Sequence, residues 1–223
     1  MSLAEQARGE WAVDIGFDEH VAASSGTLRS EGAQILDAIS IETVLQSTYH
    51  PNGFLVTKYK ADETGQRRLH IWPTTRDYNM LPHTHPWHMA SLVLAGTYIE
   101  FLPAVELVEK SDYELMVPSY NAAHQQVGVQ STGRAVKFWP GRYHHYDAGE
   151  IHTLPAGAFH STLMPEKHPV LTLVSCGPQL FDNPHFVRDT RSQPVAQSLE
   201  ADRPHPNQAE AEIIWAELQT ILP

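Results

Sequence analysis

The sequence has one cysteine, Cys176, among 223 residues, so it cannot form disulfides within the chain. It has no apolar run of the roughly 18 residues that a membrane-spanning helix needs, and no segment typical of a signal peptide. Positive charge is also scarce: 15 Lys and Arg against 26 Asp and Glu give a net charge of −11. Such a chain repels phosphate. We therefore expect a cytoplasmic protein that binds neither nucleic acid nor membrane.

Histidine is the residue that the sequence has in excess, with 14 copies. Imidazole is the commonest metal ligand in proteins and the usual acid or base near neutral pH. The composition therefore favours metal binding or acid–base chemistry on a small-molecule substrate.

The chain divides into three parts by its hydrophobic pattern. Residues 1–49 read as a loosely held leader, 1–30, followed by short amphipathic helices. Residues 50–182 carry seven or more short strands separated by Gly or Pro, which is typical of a sandwich or barrel. Residues 102–133 interrupt this series as an excursion with weak strands of its own. Residues 183–223 form an extension that ends in a helix.

The C-terminal helix is predicted to begin after Asn207, which can cap it. Ile213, Ile214, Leu218 and neighbouring apolar residues form a stripe on this helix. Either the chain's own barrel or a second subunit must cover the stripe, and we expect a homodimer.

Two segments carry histidines at positions that suit metal binding. His83 and His85 are two residues apart, so on a strand their side chains lie on one face, about 7 Å apart, and can converge on one ion. In the second segment, a turn at Pro155–Gly157 separates two strands, and the second strand presents His160 inward.

These segments resemble the two motifs of the cupin superfamily. The first motif is matched by His83, His85 and Gly96, and the second by Gly149, Pro155, Gly157 and His160. Asp77, Met89 and Met164 stand where the motifs have Gly, Glu and Asn. The resemblance implies an all-β fold, a double-stranded β-helix or jelly-roll barrel with flanking N- and C-terminal helices. It also implies a metal site of three histidines, His83, His85 and His160, without the usual glutamate.

A three-histidine cupin is similar to the thiol dioxygenases, of which cysteine dioxygenase is the best known. This resemblance implies a non-haem Fe(II) dioxygenase acting on a small substrate, with small thiols among the candidates. Imidazole also suits Zn, Ni, Mn and Cu, so three histidines do not decide the metal. An isomerase or lyase cupin using Zn or Mn, or a cupin that binds a small molecule without catalysis, are the alternatives.

Other residues receive secondary roles. His152 is the second choice for the third metal ligand, and Trp87, Met89, Tyr98 and Phe159 are predicted to wall the site. Arg68 and Arg142 are candidate anchors for a carboxylate, provided that they lie inside the barrel. Metal binding is expected to weaken as the pH falls toward the usual imidazole pKa of about 6.5.

Overall fold

The computed structural model describes residues 12–50, 52–62, 65–76, 78, 81–120, 126–164, 168–191 and 203–223. Its helices are α1 (Phe17–Ala38), α2 (Ile41–Gln46) and α3 (Gln208–Gln219). No helix in these ranges is both long enough and apolar enough to cross a membrane.

Helix α1 corrects the expectation of a loose leader for residues 17–30. The residues that α1 buries are Ser24, Leu28, Gly32 and Ile35, two of which are not hydrophobic. A Cβ at position 32 would lie 2.7 Å from the Leu94 side chain, so only glycine lets the helix approach the sheet this closely. A search for apolar periodicity cannot detect a helix that packs through Ser and Gly.

Eleven strands make up the sheets of the described part of the chain. In chain order they are β1 (Thr48–Tyr49), β2 (Leu55–Asp62), β3 (Gly65–Trp72), β4 (Met89–Ala95), β5 (Thr97–Val108), β6 (Tyr113–Tyr120), β7 (Gln126–Asp147), β8 (Ile151–Leu154), β9 (Ser161–Leu163), β10 (Val170–Cys176) and β11 (Phe186–Asp189). One sheet has the order β1-β2-β3-β10-β4-β8, and the other has the order β11-β6-β7-β5-β9. The pairings are antiparallel. The predicted fold class, a double-stranded β-helix with flanking helices, is confirmed.

The first sheet is buried on both faces, as the uninterrupted burial of β4 and β10 shows. On its outer face, Leu69, Leu92 and Leu173 pack with α1 and α3 in the largest apolar cluster. Side chains alternate along a strand, so the next residue of each strand points inward. The inward positions of β3 are Arg68, His70 and Trp72, which line a cavity between the sheets. The main hydrophobic core therefore lies under the helices, which leaves the space between the sheets for polar groups.

The excursion predicted at residues 102–133 belongs to the second sheet. Most of it is formed by the end of β5, by β6 and by the start of β7, which pair as a long antiparallel ribbon. The sheet also continues beyond residue 182, because β11 pairs with β6.

Glycine is required at position 96, between β4 and β5, where the backbone turns with φ +81°. A Cβ at this position would lie 2.5 Å from the carbonyl oxygen of Pro169. The motif glycine therefore serves the turn that brings β5 into the second sheet.

Helix α3 begins as predicted. The Asn207 side chain accepts a hydrogen bond from the Glu210 amide at 3.0 Å, and the Glu210 carboxylate accepts one from the Asn207 amide at 3.0 Å. The apolar stripe of α3 is covered within the chain: Ala211, Ile214 and Leu218 are buried in the cluster under the helices. Of the apolar residues in this stripe, Ile213, which is 54% exposed, and Ala216 point to solvent. The apolar stripe of this helix therefore gives no support to a homodimer, which stays a prediction.

His88 ties the N-terminal segment to the barrel. Its Nε2 donates to the Ile15 carbonyl at 2.8 Å, and its Nδ1 accepts from the Ala156 amide at 3.0 Å.

We expect His88→Ala to lower the free energy of unfolding by about 1–3 kcal/mol, because a buried amide loses its acceptor. Calorimetry should show a fall in melting temperature of roughly 3–10 °C. The exposed His145 provides the control, since its replacement by Ala should change stability by less than about 0.5 kcal/mol. Equal melting temperatures for the two variants would contradict this role of His88.

Candidate metal centre

The backbone brings the two histidine segments side by side. His83 and His160 form an antiparallel bridge, with the His83 amide 3.0 Å from the His160 oxygen and the His160 amide 2.9 Å from the His83 oxygen. The Gly157 amide donates to the carbonyl of His85 at 2.9 Å. The turn of the second segment therefore holds the first segment directly, and the spacing of each segment sets where its histidines point.

The side chains of His83, His85 and His160 converge. One ring nitrogen from each can be chosen so that all three lie within 4.8 Å of one another. Three nitrogens each about 2.1 Å from a common ion satisfy this spacing. Nδ1 of His83 and Nε2 of His160 are buried and have no hydrogen-bond partner among the described residues. Buried nitrogens without partners, aimed at a common point, fit a metal ion, and the group contains no carboxylate.

Burial keeps these imidazoles neutral, as metal ligands must be. It lowers the pKa of His83 to about 3, with nearby His160 adding to the effect, and it lowers the pKa of His160 to about 3 as well. The pKa of His85 lies well below its usual value for the same reason. On this basis we expect protons to compete with the metal in the folded protein at a lower pH than the usual imidazole pKa of about 6.5 suggests.

A buried carboxylate, Glu100, lies behind His160. Its Oε1 accepts a hydrogen bond from His160 Nδ1 at 2.5 Å, and its Oε2 accepts one from the Thr162 hydroxyl at 3.2 Å. The Glu100 side chain is 1% exposed, and burial raises its pKa to about 7, against the opposing effects of His152 and Thr162. Sequence reasoning missed this residue. The available signal was an acid at an inward position of β5, two residues after Tyr98.

His152, the second choice for the third ligand, is not part of the three-histidine group. Its Nδ1 lies 3.1 Å from the Tyr98 hydroxyl and 3.9 Å from Glu100 Oε2. Its Nε2 is buried without a partner in the described structure. Burial lowers the pKa of His152 to about 4, although Glu100 opposes this shift. The arrangement makes His152 and Tyr98 a hydrogen-bonded pair in the cavity wall, beside the proposed ion.

The cavity measures about 60 Å³, which is room for roughly four to six water molecules at 10–15 Å³ each. Its walls come from both sheets and include the three histidines with His50, His70, Trp72, Ser91, Thr172 and Val174. Of the four predicted wall residues, Met89 and Tyr98 line it. Phe159 instead packs with Leu115 and Val187 in a separate apolar cluster, because its side chain points to the opposite side from that of His160.

Trp87, the fourth predicted wall residue, lies beside His85 rather than in the cavity lining. The two rings stack with centroids 5.6 Å apart and planes 13° apart. Of the positions that depart from the cupin motifs, Met89 lines the cavity, whereas Met164 packs near Trp72 and Val93. Asp77 lies outside the described residues.

Arg68 meets the condition set for a carboxylate anchor, because it lines the same cavity as the three histidines. Its Nε and one terminal nitrogen donate to the Gln66 side-chain oxygen at 3.0 and 2.6 Å, and its guanidinium lies 4.8 Å from the Trp87 ring. It is the only Lys or Arg in the described lining, and no Asp or Glu in the described chain forms an ion pair with it. Arg142 is exposed on β7 and does not line the cavity.

No protein-family model and no curated protein matches the sequence. Solved structures with similar folds include an RmlC-like cupin with a double-stranded β-helix fold from Methanocaldococcus jannaschii. It is 12% identical over 58% of this chain and 84% of that one, with a TM-score of 0.34. The DMSP lyase DddQ from Ruegeria pomeroyi DSS-3 is 13% identical over 59% and 50%, with a TM-score of 0.33. A recombinant oxalate oxidase in complex with glycolate is 17% identical over 58% and 53%, with a TM-score of 0.32. Likeness at these values carries no information on the reaction, which must be inferred from the side chains of the cavity.

Proposed function

We propose that this chain is a metal-dependent, cupin-type enzyme of the cytoplasm, a non-haem Fe(II) dioxygenase that acts on a small anionic substrate. The observation that carries the proposal is the convergence of three neutral imidazoles in the cavity between the sheets, with no carboxylate among them. His83, His85 and His160 would hold the ion. Three protein ligands leave coordination positions open, and iron bound there would supply the redox chemistry that lets O₂ react with an organic substrate. Zn, Ni, Mn and Cu fit the same ligands.

Arg68 indicates the charge of the substrate. Arg68 is partly buried in the cavity wall, and the Gln66 oxygen that accepts its side-chain hydrogen bonds is neutral, so the charge of Arg68 favours an anionic group in the cavity. A carboxylate is the group that a planar guanidinium binds best, through parallel N–H donors. We propose that Arg68 holds the anionic end of the substrate while its reactive end faces the three histidines. The cavity volume of about 60 Å³ suits a small substrate.

The neighbouring pair of Tyr98 and His152 supports the alternative, an isomerase or lyase using Zn or Mn. The pair is hydrogen bonded at 3.1 Å and lines the cavity, so it can give or take a proton at a bound substrate. In such an enzyme, the ion would act as a Lewis acid without a change in its oxidation state.

Oxygen uptake by metal-loaded protein tests the proposal. Metal-free protein is reloaded under nitrogen with Fe(II), Zn or Mn, and each form is assayed with small carboxylic acids, half of which carry a thiol. Uptake of O₂ that requires both Fe(II) and one of these acids is the expected result. Turnover by the Zn or Mn form without O₂ would establish the isomerase or lyase instead. Binding without turnover in any form would indicate a binding protein.

The role of Arg68 gives a prediction that does not depend on the reaction. Arg68→Met should weaken the binding of small carboxylates by about 10- to 100-fold, the loss expected for a charge-assisted hydrogen bond. Binding of acetate, glycolate and pyruvate to the Co(II)-loaded protein can be followed by visible absorption. Arg142→Met is the control, because Arg142 is exposed outside the cavity. Equal affinities in the Arg68 variant and the wild type would rule out Arg68 as the anion site.

A further inference from the structure

We infer that Glu100 is the positioning residue for His160, fixing which nitrogen of that ring faces the metal. The inference rests on the proposed metal-dependent function. It concerns a residue outside both sequence motifs, on β5, whereas the motif position for a glutamate is occupied by Met89. The carboxylate of Glu100 therefore contacts the proposed ligand His160 and is not itself among the proposed metal ligands.

The burial of Glu100 is the first observation that calls for a function. A carboxylate that is 1% exposed is costly to remove from water unless charged or hydrogen-bonding groups surround it. The described residues that contact its oxygens are His160, Thr162 and His152, and none of them is Lys or Arg. Because two of these partners line the cavity as histidines, the acid serves the site and is not part of a structural ion pair.

The geometry of the bond decides the state of the His160 ring. Nδ1 lies 2.5 Å from Glu100 Oε1. When Glu100 is ionised, the carboxylate can only accept, so the ring hydrogen lies on Nδ1 and is donated to it. Nε2 then carries the lone pair, and Nε2 is the nitrogen that is buried without a partner. The other tautomer would set the lone pair of Nδ1 against an anionic oxygen. Glu100 therefore holds the metal-binding tautomer and orients the ring before any ion arrives.

The register of the second sheet makes this contact possible. Glu100 of β5 is paired directly with Thr162 of β9, two residues after His160. The Thr162 hydroxyl holds the second carboxylate oxygen at 3.2 Å, which restrains the carboxylate about its own axis. Among the three proposed ligands, only His160 has a carboxylate partner in the described structure.

Two substitutions separate the charge of Glu100 from its hydrogen bond. Glu100→Gln keeps an oxygen that can accept from Nδ1 but removes the charge, and Glu100→Leu removes both. We expect the affinity for Zn and Co(II), measured by chelator competition, to fall by about 10-fold in the Gln variant and by up to about 100-fold in the Leu variant. The nitrogen NMR signals of His160 in the metal-free protein should show one tautomer in the wild type and a mixture in Glu100→Leu.

His152→Ala is the matched control, since it removes one neighbour of the carboxylate and leaves both the bond to His160 and the Thr162 restraint. It should bind Zn within about threefold of the wild-type affinity. A merely structural role for Glu100 predicts a lower melting temperature of the metal-free Gln variant with unchanged affinity. A positioning role predicts unchanged or higher stability, because a buried charge has been removed, with reduced affinity.

Three results would overturn the inference. The first is unchanged Zn affinity in both Glu100 variants. The second is the same single His160 tautomer in the wild type and in Glu100→Leu. The third is an X-ray absorption spectrum of the wild type that shows an oxygen ligand on the ion, with that ligand lost in Glu100→Gln. Failure of the wild-type protein to bind any metal would instead overturn the proposed function itself, so the two failures are distinguishable.

Discussion

Replacing His160 with alanine should reduce the metal affinity of the protein by about three orders of magnitude while its far-UV circular dichroism stays the same. The proposed site has three protein ligands, and binding free energies of structural zinc sites are about 10–16 kcal/mol, so one ligand of three accounts for roughly 3–5 kcal/mol. The bonds that join His160 to His83 are formed by main-chain atoms, which alanine also provides. Metal content after dialysis, measured by mass spectrometry, reports the loss.

The same loss is expected for His83→Ala and His85→Ala. His85→Ala tests the loss of a metal ligand more directly than His160→Ala does. Removing His160 also leaves the buried Glu100 carboxylate without its closest partner. We expect the melting temperature of metal-free His160→Ala to fall by several degrees for that reason. His152→Ala should keep its metal. Retention of metal by His160→Ala together with loss in His152→Ala would transfer the third ligand to His152.

The convergence of the histidines could be predicted because the two segments resemble the cupin motifs and each segment is short. His83 and His85 lie before β4, outside the named strands, and His83 is joined to His160 by a bridge of main-chain hydrogen bonds. Gly157 has φ 79° and donates its amide to His85, so the residue that the turn requires also joins the two segments. Local chemistry thus decided both the shape of each segment and the contact between them.

The residues that surround the ligands were harder to predict because their contacts join distant strands. Glu100 meets Thr162 and His160 only through the pairing of β5 with β9, some 60 residues apart in the chain. The spacing within a segment contains no information about such a register. For a similar reason the sequence did not show whether Arg68 faces the cavity, because the alternation of β3 allows either of its faces to point inward. In the structure Leu69 and Ile71 pack under the helices, so Arg68 faces the cavity.

Helix α1 was missed, and the strands at 102–133 were predicted only as weak ones outside the main series, because both regions have little regular apolar pattern. Helix α1 packs through Ser24 and Gly32, which let it lie close to the sheet. In the ribbon, many side chains of β7 are exposed, so few of its positions need to be apolar. Backbone pairing along the ribbon, which does not depend on side-chain type, specifies its structure.

The metal-free protein should unfold on mild acidification, at about pH 5. Burial holds the pKa of six cavity histidines below the usual 6.5: His50, His70, His83, His85, His152 and His160. Below pH 6.5 the unfolded chain therefore binds protons that the folded chain does not bind. Stability is fully present above pH 6.5 and is lost as the pH falls toward the pKa values of the folded state. These values are about 3 for His70, His83 and His160.

The size of the effect follows from the number of histidines. At pH 5.5 each of the four histidines with a pKa of about 3 or 4 contributes a loss of roughly 1–2 kcal/mol, and His50 and His85 act in the same direction. The total therefore approaches the net stability of about 5–15 kcal/mol of an ordinary domain. Glu100 acts in the opposite direction. Its pKa is raised to about 7, so the folded state binds its proton first and gains stability as the pH falls from 7 toward 4.5. One raised carboxyl offsets only a part of the loss from six lowered imidazoles.

Urea unfolding at half-unit steps from pH 8 to pH 5 measures this loss as the slope of the unfolding free energy against pH. His70→Gln should reduce the slope by about one proton, because His70 is not a proposed metal ligand but lines the same cavity. His145→Gln, whose ring is exposed, should leave the slope as it is. Zn at 100 times its dissociation constant should add about 2.7 kcal/mol and move the acid transition to lower pH, since the bound ion and the protons compete for the same lone pairs. A free energy of unfolding that stays constant from pH 7 to pH 5 in the metal-free protein would show that the cavity histidines are not buried as neutral imidazoles.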